Sequence, residues 1–200
     1  MTTDTLFEQL KHPNPNLRQR AINGLADAQD DATIIPRLMD NLTSEDMVYR
    51  RASVKALGAI GEPAVVALTD TLRTSDNATA RASCVKALAQ VAVQCEEGAF
   101  PELALQALTE GLRDANPVVY LASVMALGQV GVPALDVLID ALKNLDNVAV
   151  ATSIANTLGS INDPKSVAAL QEVVASESID PYVKELAQSS LDRMRGSFSV

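Results

Sequence analysis

The chain has 200 residues, enough to bury a core, and it is 48% hydrophobic with only 3% aromatic residues and no tryptophan. A core of this composition consists of Ala, Val, Leu and Ile, which is typical of closely packed helices. The net charge of −9 and the pI near 4.6 would repel a phosphate backbone, so nucleic acid is not expected as a partner.

The first residues and the cysteine content indicate where the protein resides. The start "MTTDTLFEQL" lacks the basic and apolar segments of a signal peptide, and no run of about 18 apolar residues occurs in the sequence. Cys84 and Cys95 are too few for the disulfide framework of a secreted domain, and with the single histidine they cannot complete a zinc site without carboxylates. We expect a cytoplasmic protein without membrane insertion and without a bound metal.

A helical unit recurs six times along the chain. Each copy ends in an Ala-rich segment closed by a leucine, and these leucines lie 31 to 39 residues apart: Leu25, Leu57, Leu88, Leu127, Leu158 and Leu191. The preceding helix of each copy carries an apolar pair spaced by four residues: Leu6 and Leu10, Leu38 and Leu42, Leu68 and Leu72, Leu108 and Leu112, Leu138 and Leu142, Leu170 and Val174. A hairpin of this size cannot bury its own apolar face, so neighbouring hairpins must stack. The sequence predicts an all-α fold, an α-solenoid of about six hairpin repeats in one domain over residues 1–200.

Short polar residues predict where the second helix of each copy begins. They are, in chain order, Asn14, Asp46, Asn77, Asn116, Asn147 and Asp180. An oxygen at this position accepts a hydrogen bond from the first helical turn and contributes about 1 kcal/mol. Gly61, Gly131 and Asn162 are predicted to close three of these helices in the left-handed conformation.

The longest interval, between Leu88 and Leu127, predicts an insertion near residues 94–101 between the third and fourth repeats. Its sequence "VQCEEGAF" is typical of a loop. Cys95 would be exposed there, whereas Cys84 lies in a row of small residues and should be buried.

The second helices also carry the candidate binding residues. Four residues after each predicted cap stand Arg18, Arg50, Arg81, Tyr120, Ala151 and Lys184. One residue further are Gln19, Arg51, Ala82, Leu121, Thr152 and Glu185, and five further are Asn23, Lys55, Lys86, Met125, Asn156 and Ser189. These two later positions should face water on the concave side of the stack.

This reading places a cationic patch of Arg51, Lys55 and Lys86 next to an apolar patch of Leu121 and Met125. Exposed apolar clusters usually mark binding sites. Three alternatives stay open: arginines such as Arg50 tie repeats together through carboxylates or carbonyls, the other cations are merely solvated, and the apolar pair is buried against the insertion.

Self-contained catalytic signatures are missing from the sequence. It has no Gly-rich phosphate loop, no H-E-x-x-H and no G-x-S-x-G, and its one histidine, His12, lies in an interhelix turn. Catalytic residues therefore stay unknown at this stage, and we expect the function to come from a surface.

The segments "ASVKALGAIG", "ASCVKALAQVA" and "ASVMALGQVG", with the opening "LFEQLKHPNPNLRQRA", resemble the HEAT-like repeats of the E/F-type phycobilin lyases. The length, the first unit and the insertion most resemble the smaller, F-type subunits. The resemblance implies a cyanobacterial cytoplasmic enzyme subunit that pairs with an E-type chain and has no cofactor of its own. Together the two chains would attach phycocyanobilin through a thioether bond to a cysteine of the phycocyanin alpha subunit.

A bilin substrate would also give the candidate residues a role. Its two propionates would favour Arg or Lys, and its pyrrole rings would favour apolar walls. The candidate contacts are Arg50, Arg51, Lys55, Lys86, Tyr120, Leu121 and Met125. The alternative function is a non-catalytic HEAT-repeat chaperone or adaptor for phycobiliproteins, acting in assembly or in phycobilisome degradation.

Overall fold

The computed structural model describes residues 1–96, 98–144 and 146–197, with side chains up to residue 195. These residues form α-helices and short 3-10 turns and contain no β-strand. The helices are α1 (Thr3–Gln9), α2 (Pro15–Asp27), α3 (Ile34–Asp40), α4 (Met47–Ile60), α5 (Val65–Thr74), α6 (Ala78–Gln94), α7 (Glu102–Gly111), α8 (Pro117–Val130), α9 (Leu135–Asn144), α10 (Val148–Leu158), α11 (Pro164–Ala175) and α12 (Pro181–Ser197). The predicted all-α class is confirmed.

The helix starts follow the predicted caps. The side-chain oxygens of Asn14, Asp46, Asn77, Asn116, Asn147 and Asp180 all accept hydrogen bonds from first-turn backbone N–H groups. At α4, for example, Asp46 accepts from Val48 N at 2.8 Å and from Tyr49 N at 3.1 Å. All six predicted caps are confirmed.

Two of the three predicted left-handed helix ends are confirmed. Gly61 follows α4 with φ 79° and Gly131 follows α8 with φ 75°, a conformation that residues with a Cβ rarely adopt. The prediction for Asn162 is wrong, because no residue other than glycine has a positive φ in the described part of the chain. After α10 the chain stays right-handed, and Ser160 N and Ile161 N donate to the last helical carbonyls, so no left-handed residue is needed.

The chain divides into two compact units, Met1–Ala107 and Leu108–Val200. Within the first unit, α1 packs on α2, α3 on α4 and α5 on α6, while α2, α4 and α6 pack in succession. Within the second unit, α9 packs on α10 and α11 on α12, while α8, α10 and α12 pack in succession. Each unit is therefore a stack of helical hairpins, as the repeat pattern predicts.

The predicted apolar pairs form the core, with one exception. All the paired leucines are buried, but in α11 the partner of Leu170 is Val173, and Val174 is only half-buried. A spacing of three residues serves as well as four on one helix face, so the sequence pattern could not decide between them.

The second helices can approach closely because most of the side chains three residues after the arginine row are small. Ala21, Ser53, Cys84, Ser123, Ile154 and Ala187 are all fully buried. Between α4 and α6, a Cβ added to Gly58 would collide with the side chain of Gln90. Only glycine fits at this crossing, which sets the spacing of the two helices.

The predicted insertion is partly helical. Helix α6 continues to Gln94, so Val93 and Gln94 belong to the helix and not to a loop. The side-chain amide of Gln94 donates to the Gly58 carbonyl at 2.8 Å, a bond that joins the last turn of α6 to α4. Cys95 follows as a half-buried residue, and Glu97 lies outside the described residues.

Among the described residues, no single helix is long and apolar enough to cross a membrane. The helical pair Met47–Ile60 and Glu62–Thr74 meets that criterion only when joined, and it is bent by 117° at the break.

Candidate functional site

A groove in the first unit collects the predicted cations. It lies between α4 and α6, has a volume of about 440 Å³, and is lined by Met47, Arg50, Arg51, Val54, Lys55, Ser83, Lys86 and Gln90. The residues on each wall recur at spacings of three and four, so helical geometry brings them to one face. The structure thus brings Arg50, Arg51, Lys55 and Lys86 together.

Arg50 differs from its neighbours in the groove. Its guanidinium donates to the carbonyl of Ser44 in the turn before α4. The matching arginines do the same: Arg18 donates to the His12 and Pro13 carbonyls at 2.6 and 2.8 Å, and Arg81 donates to the Ser75 carbonyl at 2.9 Å. The structural alternative for this row is thus right about the carbonyl partners but wrong about the repeats, since each arginine ties its helix to the preceding turn of its own hairpin and not to a neighbouring repeat.

The side chains of Arg51, Lys55 and Lys86 are exposed and have no ion pair or hydrogen bond within the described ranges. Several cations elsewhere are paired. Arg37 lies 2.9 Å from Asp4, and the Lys165 ammonium lies 2.9 Å from Asp136, whose hydrogen bond and charge raise the pKa of Lys165. The groove is therefore a concentration of uncompensated positive charge on an acidic protein.

Sequence reasoning missed the neutral half of this groove. Val54 is only 9% exposed and Met47 is half exposed, so apolar surface lies beside the cations. Ser83 and Gln90 add polar groups from α6, and the Ser83 hydroxyl donates to the Leu42 carbonyl at 3.4 Å. Gln90 lies four residues after Lys86 on α6, and this helical spacing could have predicted its place in the groove.

The predicted apolar residues lie on α8 in the second unit. Leu121 is 37% exposed and Met125 is 68% exposed, so the alternative that the insertion buries them is wrong. Val118 extends this exposed face by one turn toward the start of the helix. Tyr120 is half-buried and lines another cavity of about 660 Å³, together with polar residues such as Asp146.

The two repeat positions expected to face water do so with one clear exception. All six residues at the later position are exposed, whereas at the earlier position Ala82 is buried and Thr152 is half-buried. That the cationic and apolar patches adjoin on one surface stays a prediction.

The cysteines and the histidine are not placed to act as nucleophiles in the groove. Burial raises the pKa of the Cys84 thiol from the ordinary 9.0 to about 12, and partial burial with the nearby Glu62 charge raises the pKa of Cys95. The His12 Nδ1 accepts a hydrogen bond from Asn14 N at 2.9 Å in a turn outside the groove. In the described residues, no group of three or more His, Cys, Asp or Glu side chains is placed to hold a metal. The groove is suited to binding an anion.

Comparison with known proteins places this architecture in a family. The HEAT repeats family matches residues 3–89 and 105–192. An uncharacterized phycocyanin operon protein Z from Pseudanabaena tenuis (strain PCC 7409) is 45% identical over 97% of this chain and 96% of its own length. The chain belongs to the HEAT-repeat family that contains this protein. The bilin biosynthesis protein CpeZ from Synechococcus sp. (strain WH8020) is a more distant relative, 32% identical over 82% of this chain and 91% of its own length.

A solved structure supports the same fold. The complex of CpcE and CpcF of phycocyanin lyase from Nostoc sp. PCC7120 contains a chain that is similar with a TM-score of 0.51 and 22% identity. The match covers 78% of this chain and 96% of that chain. The predicted HEAT-like repeat fold is confirmed, and the predicted relation to bilin biosynthesis proteins is confirmed at the level of the family.

Proposed function

We propose that this protein is a subunit of a phycobilin lyase that attaches phycocyanobilin to a cysteine of the phycocyanin alpha subunit. The observation that carries the proposal is the groove between α4 and α6, in which Arg51, Lys55 and Lys86 stand without anionic partners among the described residues. Its relatives include a phycocyanin operon protein and a bilin biosynthesis protein. A bilin carries carboxylates on an apolar ring system, and the groove offers cations beside apolar surface.

The proposed reaction needs positioning more than acid or base catalysis. The acceptor thiol adds across a vinyl-type double bond at the end of the bilin: the sulfur forms a bond to one carbon, and the thiol proton is transferred to the other. No group leaves and no oxidant is consumed. Holding the bilin extended with its reactive end toward the thiol is therefore the main contribution of the protein. A groove lined by cations and neutral residues, without a carboxylate, histidine or cysteine in its lining, fits this role.

The lyase would act as a heterodimer of this chain with an E-type subunit. The exposed face of α8, with Leu121 and Met125, is our candidate for that contact. Apolar side chains exposed at successive turns of one helix usually become buried in a complex.

Reconstitution tests the proposed activity. This chain, an E-type subunit, phycocyanobilin and apo-phycocyanin alpha are co-expressed, and covalent pigment is measured on the denatured acceptor. We expect pigment only when both lyase subunits are present, and none when the acceptor cysteine is replaced by alanine. Equal covalent pigment without this chain would contradict the proposal.

A second candidate function is that of a non-catalytic chaperone or adaptor for phycobiliproteins. It is favoured by the composition of the groove, whose cations and neutral polar groups also suit the binding of an acidic protein surface. The same experiment separates the two functions. An adaptor would increase the amount of soluble or coloured acceptor, but the colour would be lost on denaturation.

A further inference from the structure

The cations of the groove are not required by the repeat. The matching positions in the second unit are Leu121 and Met125 on α8 and Thr152 and Asn156 on α10, and these helices pack as their counterparts do. Since the repeat folds without charge at these positions in the second unit, folding does not explain the cations on α4 and α6.

The structure also separates the groove arginines by role. Arg50 uses its guanidinium to bind the Ser44 carbonyl, whereas Arg51 points into solvent. Lys55 lies one turn after Arg51 on the same face of α4, and Lys86 faces them from α6. Three cations therefore remain for a ligand, two on one wall and one on the other.

We propose that this groove binds the propionate carboxylates of the bilin, with Arg51 and Lys55 on the α4 wall and Lys86 on the α6 wall. The proposal rests on the proposed function for the identity of the ligand. Arginine forms paired hydrogen bonds with a carboxylate, while lysine supplies a compact charge that adapts to a second one. Half-exposed Met47, with the small exposed part of Val54, gives the pyrrole rings an apolar surface beside the charged groups.

Charge favours a small anion over a nucleic acid or a lipid surface as the occupant. The chain as a whole carries −9, so a polyanion would be repelled outside the groove. A ligand with two carboxylates places its charge only where the cations are. Because the groove is open to water, its affinity for such a ligand should fall as salt is added.

The test compares phycocyanobilin with its dimethyl ester, which has the same rings and no charged propionates. Binding is followed by the absorbance of the bilin on the full chain, alone and with the E-type subunit. We expect the free acid to bind about tenfold more tightly than the ester. In the variant Arg51→Gln/Lys55→Gln/Lys86→Gln, that preference should fall below about twofold.

A matched control keeps the change in net charge constant. The variant Arg20→Gln/Lys143→Gln/Lys165→Gln removes three cations outside the groove and should keep the wild-type preference for the free acid. If the triple groove variant does not fold, the single variants Arg51→Gln and Lys86→Gln are measured in the same way.

Three results would overturn the inference. The first is unchanged binding of the free acid by the groove variants, and the second is no bilin binding by the chain with or without its partner. The third is normal bilin binding with loss of apo-phycocyanin binding, which would assign the groove to an acidic protein surface. If the free acid binds as expected but no covalent pigment forms in the reconstitution, the lyase proposal fails and the groove assignment stands. If the groove variants attach pigment as well as wild type does, the groove assignment fails and the lyase proposal stands.

Discussion

Two adjacent arginines on α4 show how position on a helix decides the role of a residue. Arg50 and Arg51 have the same chemistry, but successive residues on a helix point in directions about 100° apart. Arg50 therefore reaches back to the Ser44 carbonyl, and Arg51 faces the solvent of the groove. One contributes to stability and the other is available to a ligand.

Replacing each arginine by methionine separates these roles. Arg50→Met should lower the free energy of unfolding by about 1–2 kcal/mol, since it removes a charged donor from a part-buried carbonyl. Arg51→Met should leave it within about 0.5 kcal/mol of wild type. Urea denaturation measures both, and an equal loss of stability in the two variants would contradict the assignment.

The two cysteines should differ in reactivity. Cys84 is fully buried with a pKa raised to about 12, so a thiol reagent near pH 8 should label it only after unfolding, whereas half-buried Cys95 should react in the native protein. Below the ordinary thiol pKa of 9.0, Cys84 is protonated in both states and does not affect stability. Between 9.0 and about 12 only the unfolded state loses the proton, so stability should fall as the pH rises.

Mass spectrometry after timed labelling identifies the modified cysteine. Cys84→Ala removes the alkaline loss of stability that is due to this residue, and Cys95→Ala, at a less buried thiol, should remove less of it. Rapid native labelling of Cys84 would contradict its burial.

At the scale of the helix, the second helix of each hairpin begins with an Asn or Asp side-chain cap. The Asn or Asp oxygen occupies backbone N–H groups that would otherwise lack partners, and the arginine row ties the first turn to the preceding loop. The groove depends on both features, because they fix the start of the helices that carry Arg51, Lys55 and Lys86.

Asp46→Ala tests the cap of α4. The variant loses the hydrogen bonds from Val48 N and Tyr49 N and should be less stable by about 1 kcal/mol. Glu45→Ala changes an exposed neighbouring acid that does not cap the helix, and it should cost less than half as much. Thermal or urea unfolding compares the two, and equal effects would show that charge and not capping matters.

At the scale of the whole molecule, each unit exposes a surface that its own packing does not use. The first unit has the cationic groove, and the second has the apolar face of α8. Side chains that pack against nothing within their own unit can change without loss of the fold. We therefore expect substitutions at these positions to affect binding more than stability.

The double variant Leu121→Asp/Met125→Asp tests the α8 face. Because Met125 is 68% exposed and Leu121 is 37% exposed, the isolated chain should still fold and should lose no more than about 1–2 kcal/mol of stability. Its complex with the E-type subunit should weaken by tenfold or more, about 1.4 kcal/mol, as judged by sedimentation or size-exclusion chromatography. Gln171→Asp, exposed on α11, is the control. An intact complex would remove this face from the proposed interface.

Much of the fold could be predicted from the sequence because the relevant interactions are local. A capping oxygen and its N–H group lie two or three residues apart, and the buried leucines lie four apart, so their pattern is visible without coordinates. The presence of cations at Arg51, Lys55 and Lys86 was equally visible.

Other features depended on contacts between distant residues. The last turn of α6 is joined to α4 by the bond from the Gln94 side-chain amide to the Gly58 carbonyl, and no local pattern contains that bond. The exposure of Met125, the place of Gln90 in the groove and the different roles of Arg50 and Arg51 were likewise decided by neighbouring helices and turns. The sequence alone determined which helices form and which faces are apolar, since these follow from short-range periodicity. Tertiary structure decided which side chains meet and which stay open to a ligand, because that depends on how the helices approach one another.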